Sequence, residues 1–214
     1  MIIAVDGPAA SGKGTLASGL ARHYGLPHLD TGLLYRAVGQ AVEAFEDKPE
    51  FEAKAIETAR MLDGKDLQSE LLVSAKAGQL ASKVAVIGEV RQALFDYQRQ
   101  FALQDGGAVL DGRDIGTVIC PEADAKLFIQ ADSKARMERR ARQLEARGQQ
   151  VDRYALYHQI EERDARDMGN PHGGFYKAAD AHLLDTTLLD IEAALRAAIA
   201  IVDGASRRKA GLTP

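Results

Sequence analysis

Short apolar runs and longer stretches of helical period alternate along this chain. Five runs read as buried strands: "IIAVD" (2–6), "PHLD" (27–30), "AVLD" (108–111), "AKLFIQA" (125–131) and "HLLD" (182–185). Four of them end on aspartate (Asp6, Asp30, Asp111 and Asp185), where the chain leaves the sheet. Between the runs, apolar residues recur with helical spacing over 15–24, 33–46, 87–103, 133–147, 152–167 and 188–202. This alternation predicts an α/β fold, a five-stranded parallel sheet with helices on both faces. Ligands of such sheets bind beyond the carboxyl ends of the strands, where the aspartates fall.

Two stretches break the pattern. Residues 46–87 contain no convincing strand and read as two or three helices inserted after the second strand. Residues 133–170 are strongly charged and carry Lys134, Arg136, Arg139, Arg140, Arg142, Arg147, Arg153, Arg163 and Arg166. The end "GASRRKAGLTP" is expected to be disordered, its basic residues solvated.

Chemistry enters with "GPAASGKGT" after the first strand, residues Gly7, Pro8, Ala9, Ala10, Ser11, Gly12, Lys13, Gly14 and Thr15. The spacing is G-x-x-x-x-G-K, and a strand-to-helix context separates a phosphate loop from a chance match. Glycine lets successive backbone N–H groups converge on phosphate oxygens, and the helix behind adds its positive end. Lys13 would neutralise the β- and γ-phosphates of ATP. Position 14 is glycine where many nucleotide hydrolases place the Mg²⁺-binding hydroxyl, which here comes one residue later, at Thr15.

Composition narrows the partners. Apolar residues make up 46% of 214, enough for one packed core, and the formal charge is −4. An acidic balance argues against general binding of nucleic-acid polymers. No apolar run reaches the length of a membrane span and the chain starts at once on a strand, so a cytoplasmic protein is expected. The single cysteine, Cys120, lies in the hydrophobic "TVICPEA" and reads as a buried structural thiol.

Three phosphate-loop classes compete. A guanine switch needs Asn-Lys-x-Asp, whereas the one asparagine, Asn170, precedes proline. Motor and transporter ATPases need a larger domain. A small-molecule kinase needs only an acceptor pocket and a mobile arginine-rich cover. Further motifs favour the kinase: "LDTGLLYR" (29–36), "EVRQALFDYQR" (89–99), "LDGRDIGT" (110–117), "EERDARD" (161–167) and "ADAHLLDTT" (179–187). In this order they resemble the bacterial cytidylate (CMP) kinase family of nucleoside-monophosphate kinases, over nearly the whole chain except 46–80.

The resemblance implies the P-loop kinase fold with strand order 2-3-1-4-5, in one unit over residues 1–204. An acceptor lobe would span 43–88, a lid 132–170 and a disordered tail 205–214. It implies ATP and Mg²⁺, with CMP or dCMP as acceptor and a monomeric enzyme. Asp30 and Thr31 would lie near the phosphates, and Arg36 and Arg113 would meet the acceptor monophosphate. Ser82, Arg91 and Asp114 would read the pyrimidine. Asp111 and Thr15 would hold Mg²⁺, Asp111 through water. Arg163 and Arg166, with Lys13, would serve the transferring phosphoryl group, and Asp167 with Arg163 the acceptor ribose. The residues also allow plainer roles: a helix cap at Asp30 or Thr31, an i,i+4 ion pair between Arg163 and Asp167, solvated helix positions for Ser82 and Arg91. Arg139 and Arg140 read as holders of donor ATP or as a solvated face. The family's basic residue three positions after Asp167 is Asn170 here, which His172 or Lys177 would have to replace. Other acceptors (UMP, AMP, shikimate) and a nucleotide-binding regulator without turnover stand as alternatives.

Overall fold

The computed structural model describes residues 1–64, 67, 72, 74–170, 175–209 and 211. Five strands, β1 (Ile2–Asp6), β2 (His28–Asp30), β3 (Ala108–Gly112), β4 (Ala125–Gln130) and β5 (His182–Asp185), form one parallel sheet in the order β2-β3-β1-β4-β5. The central strands are buried on both faces, so they read as continuous apolar runs rather than alternating ones.

Eight helices surround the sheet among the described residues: α1 (Lys13–Tyr24), α2 (Thr31–Ala41), α3 (Phe51–Met61), α4 (Ala75–Val84), α5 (Gly88–Ala102), α6 (Ser133–Glu145), α7 (Arg153–Met168) and α8 (Ile191–Lys209). One face packs Leu29, Leu34, Val38, Val90, Leu94 and Leu110 beneath α2 and α5. The other packs Ile3, Val5, Leu20, Leu127, Ile129 and Val202 beneath α1 and α8. Cys120 is fully buried, and burial pushes its thiol up to about 11, which leaves it unreactive.

The α2–α4 contact is close because of one residue. A Cβ at Gly39 would stand 2.8 Å from Leu80 Cβ, so only glycine lets the helices meet there. Helices α6 and α7 form a hairpin with a small core of its own, Met137, Ala141, Leu156 and Ile160.

Among the boundaries that differ from the sequence reading are those of α2 and the end of α8. Helix α2 begins at Thr31, two residues early, because Asp30 caps it by accepting from the Gly32 N–H at 2.9 Å. It stops at Ala41, and residues 43–45 continue as a 3₁₀ turn. At the other end, α8 runs to Lys209, so residues 205–209 are helical where a disordered tail was expected. Two of their basic side chains have partners: Lys209 pairs with Asp124, and Arg208 Nη2 lies 2.6 Å from His182 Nε2. Cations in the last turn also suit the negative end of the helix.

Candidate active site

The loop between β1 and α1 turns sharply at the carboxyl edge of the sheet. Gly7 tolerates no side chain, since a Cβ would stand 2.3 Å from the Ile129 carbonyl oxygen. Ala10 and Gly12 hold φ of 59° and 91°, so the backbone curls into a cradle before the first turn of α1. Ser11 is buried with no partner for its hydroxyl.

Lys13 projects from this loop into a cleft of about 510 Å³. Burial lowers its amine to about 8, and Arg113 and Arg163 push the same way against the attraction of Asp111 and Asp30. The acids stand at the ends of neighbouring strands, Asp30 opposite Asp111 in register. Asp111 is anchored by His28, whose Nε2 lies 2.7 Å from Oδ1. Its Oδ2 faces the loop, 3.7 Å from where a Gly14 Cβ would be. Burial and the charge of Asp111 raise the Asp30 carboxyl above its ordinary range. Thr31 donates to the Asp111 carbonyl at 2.8 Å, and Thr15 is exposed at the start of α1.

Arginines line the middle of the cleft. Arg36 donates to the Leu72 carbonyl at 2.7 Å, with its guanidinium beside Gly78 of α4. Arg113 donates from Nε to Asp167 at 2.7 Å and lies over the Phe175 ring. Arg163 also reaches Gly78, and its Nε is buried without a partner. Burial, then repulsion from Arg113, lowers Arg163 to about 10. Arg36 and Arg140 are held below their ordinary values by burial first and neighbouring arginines second. Arg140 lines the cleft. Arg166 lines it too, more exposed, with Glu162 3.9 Å away on the same helix.

At the far wall, Arg91 of α5 pairs with Asp114, and Arg91 lies over the Tyr35 ring. Ser82 of α4 lines the same cleft, buried, its hydroxyl 3.3 Å from the Gly78 carbonyl. Asp167 accepts from Arg113, a contact across 54 residues, rather than forming the plainer i,i+4 pair with Arg163. Arg139 lies against the glycine loop, bonded to the Ser11 carbonyl at 3.2 Å and to Thr186. Asn170 ties the end of α7 to α4 through the Ala85 carbonyl at 3.0 Å. Lys177 donates to the Ala178 and Ala181 carbonyls and does not reach the cleft; His172 lies outside the described residues.

Three contributors escaped the sequence reading. His28 anchors Asp111. Asp6 accepts two backbone N–H groups beyond β3, and burial pushes its carboxyl up to about 7. Arg136, almost fully buried, bonds the Ala9 carbonyl of the loop and Asp164 of α7. Asp6 carried a sequence signal as an acid at a strand end, and Arg136 only as one of the arginines of a charged stretch.

Sheet order and glycine loop together put the chain among the phosphate-loop kinases of small molecules. A solved structure of an uncharacterized protein from Eubacterium ventriosum shares the fold, with a TM-score of 0.57 at 17% identity over 95% of this chain and 98% of its own. A cytidylate kinase of Xanthobacter autotrophicus is 55% identical over 211 residues, 99% of this chain and the whole of that protein. One from Methylocella silvestris is 54% identical over 206 residues, 96% and 95% of the two chains. The family model for cytidylate kinase matches residues 3–203, and this chain belongs to the cytidylate kinase family. Among the described residues no helix is long and apolar enough to cross a membrane.

Proposed function

We propose that this chain transfers the γ-phosphoryl group of ATP to the phosphate of CMP or dCMP, with Mg²⁺, through the residues that line the cleft. One observation carries the reading: the Arg91–Asp114 pair stands on the wall of the same cleft that holds Lys13 and the arginines. A nucleotide whose base meets the first would direct its phosphate to the second.

The acceptor oxygen is already anionic, so no general base is required and catalysis is positioning plus charge neutralisation. The loop N–H groups and Lys13 take the donor phosphates. Arg36 and Arg113 grip the acceptor phosphate through their planar forks. Arg163, with a buried N–H to offer, and Arg166 face the phosphoryl group in transit, whose charge is spread over three equatorial oxygens. Asp167 fixes Arg113 and serves the ribose with Arg163. Helices α6 and α7 act as the lid, and α3 and α4 as the acceptor lobe.

The donor set suits Mg²⁺. Asp30, Asp111 and the Thr15 hydroxyl offer hard oxygens, and mutual repulsion of the two carboxylates is what a cation relieves. Among the described residues no three acids, histidines or cysteines could hold a metal by themselves, which fits an ion shared with phosphates and water. When bound, Mg²⁺ would neutralise charge on the β- and γ-phosphates.

Asp114 would choose the base. Cytosine offers an amino donor where uracil offers a carbonyl acceptor, so a carboxylate attracts one and repels the other. The test is coupled ADP release over CMP, dCMP, UMP, AMP and shikimate. CMP and dCMP should lead; preference for another acceptor, or no turnover with any, would reject the proposal.

A further inference from the structure

Asp6 ends β1, directly before the first glycine of the phosphate loop, yet its side chain turns away from that loop. Its two carboxylate oxygens accept the backbone N–H groups of Ile115 and Gly116, each at 2.8 Å, and the residue is 5% exposed. These amides open a single π turn, Ile115–Ile119, that follows Asp114. The first N–H groups of a helical turn have no partner within it and need an outside acceptor.

The position before such a turn is where aspartate ordinarily supplies that acceptor itself. Asp114 occupies this position, with φ of −139° and ψ of 25°, and its side chain makes no capping bond. Its carboxylate points to Arg91 and the cleft instead. The cap comes from 109 residues earlier, from Asp6.

We infer that Asp6 is a positioning residue for acceptor choice: by capping the π turn from β1 it releases Asp114 from that task and fixes it toward the base. The inference rests on the reading of Asp114 as the residue that meets the base. It also gives the donor loop and the acceptor wall a common joint, since Asp6 adjoins Gly7 and holds the two amides after Asp114. If Asp6 loses the cap, the Asp114 carboxylate is the nearest replacement. A side chain drawn down to its own turn no longer faces the cleft.

The test is kcat/KM for CMP and UMP in Asp6→Asn, Asp114→Ala and the double variant, with KM for ATP measured alongside. Asparagine keeps the size but turns an N–H donor toward one of the amides. In Asp6→Asn the CMP-over-UMP preference should fall by about tenfold, the loss of one charge-assisted bond, with KM for ATP little changed. Because Asp6 acts through Asp114, the double variant should show the preference of Asp114→Ala alone, a non-additivity that a general loss of stability would not produce. If Asp114→Ala itself leaves the preference intact, the base-reading role falls, and the inference with it. If Asp114→Ala removes the preference but Asp6→Asn keeps it, or the two effects add, the inference alone is overturned.

Should Asp6→Asn fail to fold, Gly116→Ala probes the same joint more gently. Its Cβ would stand 3.3 Å from Asp6 Oδ2 and 3.2 Å from Lys126 Cδ, so the carboxylate must shift by a few tenths of an ångström. A smaller fall of the preference in the same direction is expected. A folded Gly116→Ala protein with parental preference would overturn the inference.

Discussion

Replacing Arg163 by methionine should make the nucleotide-free protein more stable while nearly abolishing turnover. Arg163 is a cation held among cations, lowered well below the ordinary guanidinium range to about 10 by burial first and then by Arg113, Arg36 and Arg140, with Asp167 only partly offsetting them. The conversion from pKa to free energy puts the cost of its charge at about 3 kcal/mol. Solvent screening and relaxation reduce that to about 1–2 kcal/mol, the range in which partly buried charge interactions are measured. Methionine fills a similar volume without charge, so most of this cost disappears. For a chain of this size about 1 kcal/mol moves the melting temperature by roughly 2–4 °C, and a rise of about 3–6 °C is expected. Turnover should fall by about 10³, since a fixed guanidinium on the phosphoryl oxygens is lost. Thermal unfolding without nucleotide and coupled ADP release are the two measurements. A lower melting temperature in the variant would show that Arg163 holds the fold together, and turnover within tenfold of the parent would remove it from the chemistry.

Two further outcomes are expected. Lys13 titrates near pH 8 in the free protein, its amine lowered by burial, and only the protonated form attracts phosphate. KM for ATP should therefore rise as pH passes through 8, and Lys13→Arg should remove that rise even if it slows turnover; a flat profile in the parent would refute the assignment. Removal of residues 205–214 should lower the melting temperature by a few degrees, since it cuts the Lys209–Asp124 pair and the Ser206 contact to Met1. An unchanged melting curve would return that segment to the status of a loose tail.

The strands were readable because a doubly covered parallel strand is a continuous apolar run, and "AVLDG" and "AKLFIQ" are such runs bounded by turn residues. The loop was readable because its glycines and lysine are close in sequence. Helix ends were less so: nothing local to "LDTG" decides whether Asp30 caps at once or two residues later. The end of α8 depended on Asp124 and His182, acceptors brought near only by the sheet. The same holds for the joints of the site. Asp6 meets Ile115 across 109 residues, Arg136 meets Ala9 across 127 and His28 meets Asp111 across 83. Periodicity reports which face of an element is buried and carries nothing about which distant backbone group a buried polar side chain will find.

These joints divide the molecule by stiffness. The Arg136 guanidinium donates to the Ala131 and Ala9 carbonyls at 3.0 and 3.1 Å, to Ser133 at 3.1 Å and to Asp164, so each of its nitrogens is engaged at the base of the α6–α7 hairpin. The hairpin is thereby fixed to the phosphate loop at one end. Toward the cleft the same hairpin presents Arg140 and Arg163, lowered by burial first and by neighbouring arginines second, and the more exposed Arg166. As the lid of the proposed reaction, a hairpin pinned at its base and self-repelling at its working face would open without a strained hinge. In the proposed reaction, anionic phosphates between the arginines would convert that repulsion into attraction, and the charge of the two nucleotides would supply free energy for closure. One nucleotide would neutralise part of the cluster and both more of it, so closure should be most favourable when donor and acceptor are present together. On that reading, the same cations that are expected to destabilise the empty protein would link closure to readiness for transfer.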